Sequence, residues 1–304
     1  MPATAYDAEE FFRGLVDAGL IIPVGVPGIF GRNHVFEDVL DRFNKLVTEL
    51  AKDDGAEYFV YPPAIDRKVL EQTDYMDSFP DLAGTVFSFK GKELTARQLS
   101  EAIHNGDDWA QYQDMTAVAL NPAACYPVYP SFTGTVPKEG KLVTMFNWVF
   151  RNEPSREPTR MQSFRVREFV RCGTPAQVVE WRDMWLRRGL LLLQSLQLPV
   201  TAEVASDPFF GKGGRMLAAS QRQQKLKFEV TAPVISEEKP TALCSFNFHQ
   251  EHFGRAFHIR TEDGEVANSA CLGFGLERVA MALFQAHGFE PRQWPAAVHD
   301  KLWP

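Results

Sequence analysis

Between Phe150 and Val170 the chain reads FRNEPSREPTRMQSFRVREFV, two apolar alternating runs on either side of a polar loop dense in arginine and glutamate. Alternation with a period of two marks strands, so this stretch predicts a strand, a loop and a returning strand whose charges converge on something anionic. Arg151 and Glu153 fall two apart, on one face of the first strand, and Phe164, Val166 and Glu168 share a face of the second. A sheet face carrying an arginine and a carboxylate is costly unless a ligand uses them. The hairpin is therefore the centre around which the other elements have to be arranged.

Helical spacing of Phe11, Phe12, Leu15, Val16 and Leu20 predicts a helix over 8–20, broken by the two prolines and three glycines of IIPVGVPGIFG. A long amphipathic helix follows over 35–50, then the strand EYFVYPP, which stops at Pro62 and Pro63. This helix and strand are either a subunit-packing element or plain core. Further on the pattern gives a strand over 85–89, a helix over 94–103, a strand over 141–150 and a second long helix over 177–198 closed by Pro199. After a glycine cluster at 209–215 come strands over 225–231 and 242–249, and a glycine-punctuated apolar helix over 273–288. No internal repeat is present. Strands that follow one another directly, with helices between groups, predict an α+β fold: an antiparallel sheet flanked by helices. We expect one domain over 1–304, with 1–33 as a helical extension.

The net charge is -7, which argues against a broad nucleic-acid footprint, since such domains usually carry a basic face. No span reaches roughly 18 uninterrupted apolar residues, and the start lacks a basic n-region; a cytoplasmic protein without membrane contact is expected. Cys125, Cys172, Cys244 and Cys271 form no CxxC pair, so disulfides are neither required nor excluded.

In the segment CLGFGLERVAMAL, Gly273 and Gly275 permit close backbone approach at a strand-to-helix turn, and Arg278 follows in the first helical turns. Alone this reads more readily as a plain turn with a surface arginine. Combined with Phe150-Arg151-x-Glu153 and Arg160-x-x-x-Phe164-x-x-x-Glu168, it resembles motifs 2 and 3 of the class II aminoacyl-tRNA synthetases, with the 35–63 segment in the place of the dimer-forming motif 1. The resemblance implies a class II synthetase-like catalytic domain, a homodimer, and ATP with Mg2+ as substrate. It implies that Arg151 holds the α-phosphate and the amino-acid carboxylate. It further implies that Glu153, Arg160 and Met161 hold adenine or the γ-phosphate, and that Arg278 stacks on adenine or clamps the γ-phosphate. Fixed guanidinium groups suit charge that develops on phosphate oxygens. Lys227 and the segment Ala242, Leu243, Cys244 and Ser245 lie where seryl-type enzymes place further nucleotide contacts; as a bare residue, Lys227 reads equally as a solvated strand lysine.

Cys125, Glu168 and Cys271 are too scattered for any spacing rule to pair them, and from the residues alone each is a core thiol or a strand carboxylate. The chain is similar, however, to the atypical, methanogen-type seryl-tRNA synthetases, which hold zinc by Cys, Glu and Cys at these points, leaving a fourth position for the substrate amino group. No basic arm or anticodon-type domain is evident. The combination resembles the amino acid:[carrier protein] ligases, truncated homologues of those synthetases. That resemblance implies activation of a small amino acid, glycine or alanine, and its transfer to the phosphopantetheine thiol of a small acyl or peptidyl carrier protein, without tRNA. The alternatives are a minimal synthetase that charges tRNA and a catalytically silent paralogue. An acidic carrier would need a local basic patch; Arg182, Arg187 and Arg188 on one helix are candidates or a solvated face.

Overall fold

The computed structural model describes residues 7–304, so the first six residues of the predicted extension lie outside it. Its centre is a seven-stranded sheet. In chain order the strands are β1 (Glu57–Phe59), β2 (Lys141–Phe150), β3 (Ser163–Gly173), β4 (Thr201–Val204), β5 (Lys227–Ala232), β6 (Thr241–Gln250) and β7 (Asn268–Gly275). Their spatial order is β4-β5-β6-β7-β3-β2-β1, antiparallel throughout except for the edge pair β1–β2. The hairpin β2–β3 forms as the alternation predicts, pairing Phe150 with Ser163 at one end and Lys141 with Cys172 at the other.

Six longer helices accompany the sheet: α1 (Ala8–Asp17), α2 (His34–Leu50), α3 (Glu93–Asn105), α4 (Pro175–Ser195), α5 (Gly211–Gln223) and α6 (Leu276–His287). The start of α2 is fixed by Asn33, whose side chain accepts from the Phe36 N–H, and that of α4 by a Thr174–Gln177 capping box with proline at the first position. The apolar stripe of α2 faces α6, bringing Phe36 and Phe284 to 5.5 Å. Trp185 of α4 lies 5.0 Å from Phe169 of β3. Gly189 lets α4 press onto the sheet, because a Cβ there would stand 2.8 Å from the Phe246 ring. Each ring buried at this interface contributes about 1.5–3 kcal/mol of transfer free energy. Helices therefore seal one face of the sheet, the one bearing Phe169, Phe246 and Phe274.

The register puts Glu229, Ser245, Gly273 and Glu168 in one row on the other face. That face is roofed by the short helix Tyr75–Ser78, the turns that carry Cys125 and Tyr126, the 205–210 segment, α5 and the short helix His252–Ala256. A small antiparallel sheet of Ala64–Asp66, Thr85–Phe89 and Gln113–Leu120 stands beside it.

Several expectations need correction. The 1–33 extension is not all helical: after α1 it forms a hairpin, Ile21–Pro23 with Phe30–Arg32. The last helix begins at Leu276, because Gly273 and Gly275 still pair with Glu168 and Val166 as part of β7. The glycine cluster at 209–215, for which no element was expected, opens α5 at Gly211. Arg151 and Glu153 do not share a strand face, since β2 ends at Phe150 and both lie in the loop beyond it.

Candidate active site

A cavity of about 490 Å3 occupies the open face. Its floor is glycine: a Cβ at Gly273 would meet Val166 Cγ1 at 3.0 Å and one at Gly275 would meet Arg278 Cδ at 3.6 Å, so a ligand here rests on backbone. Arg151, Lys227, Ala242, Leu243, Cys244, Ser245, Arg278, Cys125, Glu168 and Cys271 all line it. Glu153, Arg160 and Met161 do not. Met161 is buried beneath the Arg32 guanidinium, while Arg160 is exposed and lies 3.8 Å from Glu153 and 3.4 Å from Glu157.

At one end stand two arginines. Arg151 donates through Nε to Pro122 O at 3.0 Å, and Arg278 donates to Thr159 O at 2.9 Å and Ala242 O at 3.3 Å. Both guanidinium groups lie over the Phe164 ring, at 5.8 and 5.9 Å from its centroid. Burial, and then the like charge of Arg151, lowers the pKa of Arg278. Two cations held by neutral carbonyls around one aromatic ring leave a field that an anion would relieve.

At the other end the ligand atoms of Cys125, Glu168 and Cys271 lie within 4.8 Å of one another, all buried. The Cys125 thiol is pushed well up by its bond to Cys271 and by burial, and burial raises the Glu168 carboxyl. At Cys271 the bond from Cys125 lowers the pKa, but burial and Glu168 leave it raised on balance. Three acids crowded into a dry space are strained toward protonation, and a divalent cation inverts that preference. The Cys271 sulfur is also approached by Asn247 Nδ2 at 3.5 Å, an N–H that suits a thiolate, and by His249 Nε2 at 3.4 Å. Burial lowers His249 to about 3. Two thiolates and a carboxylate around one point fit zinc, with a tetrahedral position left open.

Lys227 is no solvated lysine. It is buried, 2.7 Å from Asp207 and 2.9 Å from Glu229; burial lowers its pKa, but the two carboxylates raise it on balance. The predicted docking arginines are also largely engaged. Arg182 is buried, bonded to Asp183 and the Lys225 carbonyl, and Arg188 pairs with Asp54 at 2.7 Å. Asp207, His249 and Asn247 are site residues that the sequence analysis did not single out, although His249 and Asn247 fall two apart on β6, the spacing of one strand face.

The sheet order and its roofed face are those of a class II aminoacyl-tRNA synthetase-like fold. The solved M. kandleri seryl-tRNA synthetase, in complex with A. aeolicus tRNASec, superposes with a TM-score of 0.82 at 20% identity, over 98% of this chain and 60% of that one. The ATP complex of Pyrococcus horikoshii seryl-tRNA synthetase gives 0.69 at 13%, over 94% and 60%. These likenesses establish the fold. No family model matches the chain. Amino acid–[acyl-carrier-protein] ligase 1 of Bradyrhizobium diazoefficiens is 41% identical over 303 residues, 99% of this chain and 92% of its own length. Ligase 2 of the same organism is 40% identical over 290 residues, 95% and 86%. The type-2 serine–tRNA ligase of Methanococcus aeolicus is 26% identical, and this chain spans about half of it (52%). The chain belongs to the amino acid–[acyl-carrier-protein] ligases.

Proposed function

We propose that this protein activates a small amino acid, glycine or alanine, with ATP and passes it to the phosphopantetheine thiol of a carrier protein. One observation carries the reading: a single cavity joins the Arg151–Arg278 pair to the Cys125–Glu168–Cys271 cluster across a glycine floor. Arg151, facing both ends, draws the amino-acid carboxylate against the α-phosphate. The carboxylate oxygen attacks phosphorus, pyrophosphate leaves, and the fixed guanidinium groups receive the developing charge without reorganising. Arg278 and Phe164 hold the nucleotide, Glu153 and Arg160, in the loop beside the cavity, reach its adenine or γ-phosphate, and Mg2+ would supply charge neutralisation at the phosphates. Lys227, with the 242–245 strand, borders the nucleotide. Cys125, Glu168 and Cys271 would hold zinc, which supplies a Lewis-acid site for the substrate's amino group. In the second half the carrier thiol attacks the anhydride carbonyl, AMP leaves and a thioester forms.

The protein works as one domain in the cytoplasm, as a homodimer through α2 and the edge where Tyr58 and Val60 are exposed. Among the described residues no helix is long and apolar enough to cross a membrane. With Arg182 and Arg188 engaged, an acidic carrier is better served by α5, where Lys212 and Arg215 accompany the exposed Met216 and Leu217. Amino-acid-dependent pyrophosphate exchange, followed by incubation with labelled amino acid and either total tRNA or a holo-carrier, tests the reading. Label on the carrier alone is expected. Label on tRNA would mark a minimal synthetase instead, and no exchange with any amino acid would refute activation.

A further inference from the structure

Behind the cavity, on the helix-covered face of the sheet, lies a charged cluster that the proposed chemistry does not use. Arg165 of β3 donates through Nε to Glu277 Oε1 at 2.8 Å and through its backbone N–H to Glu277 Oε2 at 2.7 Å. Its two terminal nitrogens grip Glu37, in the first turn of α2, at 2.6 and 2.7 Å. Arg32 adds a fourth charge, 3.5 Å from Glu277 and 3.4 Å from Ser163 O, with its other contact on Met161 Sδ at 3.6 Å. The Glu277 side chain is wholly buried and that of Arg165 nearly so. Trp148 lies under both arginines, 4.8 Å from Arg165 and 5.5 Å from Arg32.

Buried ion pairs hold a fold together no better than well-packed apolar groups of similar volume, so stability alone is a poor reason for four charges. Their placement suggests another. Glu277 precedes Arg278 on α6, and its carboxylate takes up the Arg165 N–H where β7 has stopped pairing with β3, whose last partners are Gly275 and Val166. Arg165 follows Phe164, the ring that underlies both Arg151 and Arg278. Arg32 touches the loop whose Thr159 carbonyl receives Arg278. One array thus fixes the shelf, the helix turn and the loop that together aim the nucleotide-facing arginines.

We propose that Glu37 is a positioning residue for the nucleotide end of the cavity, acting through Arg165 and Glu277 on Phe164 and Arg278. This rests on ATP occupying that end. The test compares Glu37→Ala with Asp38→Ala, a control in the same helical turn that removes a pair with Arg42 and a bond from Trp303. Binding of a non-cleavable ATP analogue is measured by calorimetry, alongside pyrophosphate exchange, metal content and thermal unfolding. In Glu37→Ala the analogue Kd and the KM for ATP should rise about tenfold, with metal content unchanged, whereas Asp38→Ala should bind ATP like the wild type. An unchanged Kd in Glu37→Ala overturns the proposal, as does an equal rise in Asp38→Ala or a loss of bound metal, either of which marks general loosening. If Glu37→Ala does not fold, Arg32→Met replaces a guanidinium whose Nε lacks a partner and leaves Glu277 paired with Arg165. A smaller rise in the analogue Kd is expected there, and none overturns the proposal. Should the nucleotide reading itself be at fault, the wild-type protein would bind no analogue at all.

Discussion

The two ends of the cavity are built by opposite means. The arginine end is assembled from a loop and the first turn of a helix, and its cations are steadied by carbonyl oxygens and one shared aromatic ring. The cysteine end is drawn from a roof turn and two adjacent strands, closed off from water, and its three acids have one another for company. The first is a fixed field in place before any ligand arrives; the second is an arrangement that a cation would complete. A defect at the metal end should therefore remove a component outright, whereas a defect at the arginine end should weaken a field by degrees.

That contrast can be broken most directly at Cys271. Cys271→Ser should leave metal well below one equivalent by elemental analysis and abolish amino-acid-dependent exchange while ATP-analogue binding persists; full activity in a metal-free preparation would remove the zinc assignment. Arg151→Ala should fold normally and lower kcat for exchange by about 10²-fold or more, keeping its metal, and an equally active variant would show that another group carries the phosphate charge. Between the two ends, Gly273→Val should crowd Val166 on the shared floor, cost about 1–3 kcal/mol of stability, and raise the KM values for ATP and amino acid together in exchange assays. A rise in only one would show that the floor serves one end.

The smallest effect concerns pH. Burial pushes Asp207 up, but Lys227 and Gln221 bring it on balance below the ordinary aspartate value. Its contribution to stability is therefore present above the unfolded pKa and is lost as pH falls through the lower folded value, that is, below about pH 3.9. For Lys227, raised on balance, stability is present below the unfolded value near pH 10.4 and lost as pH climbs beyond the folded one. Thermal unfolding of Asp207→Asn should lack the acid-side fall contributed by this pair, and an acid limb identical to that of the wild type would show that the pair is not coupled to folding.

Much of the frame could be read from the chain because period and spacing are local. The β2 strand matches its predicted span, and α2 and α4 lie within a few residues of theirs, since Asn33 and the Thr174–Gln177 box mark their starts. The class II resemblance of FRNE and GFGLER rests on short spacings of the same kind. By contrast, α5 escaped because three glycines in its first turn lower its helical signal, and the strand Gln113–Leu120 escaped because it is mostly exposed, which weakens alternation. The solvated reading of Lys227 failed because burial was decided by Asp207, far along the chain. The Glu37–Arg165–Glu277 array was invisible for the same reason: each member looks like an ordinary surface charge until three elements meet.

The position of β7 has a consequence for biosynthesis. Hairpin β2–β3 can close once Gly173 has been made, and β5–β6 can pair once Gln250 has, but these two halves of the sheet touch only through β7, which inserts between β6 and β3. A nascent chain therefore carries two hairpins that α4 packs against but no strand joins, each with exposed strand edges. Neither contains the floor, the second thiolate or Arg278. Translation must pass the start of α6 before there is any pocket to load, so a prematurely released chain is an aggregation hazard and not a partially active enzyme.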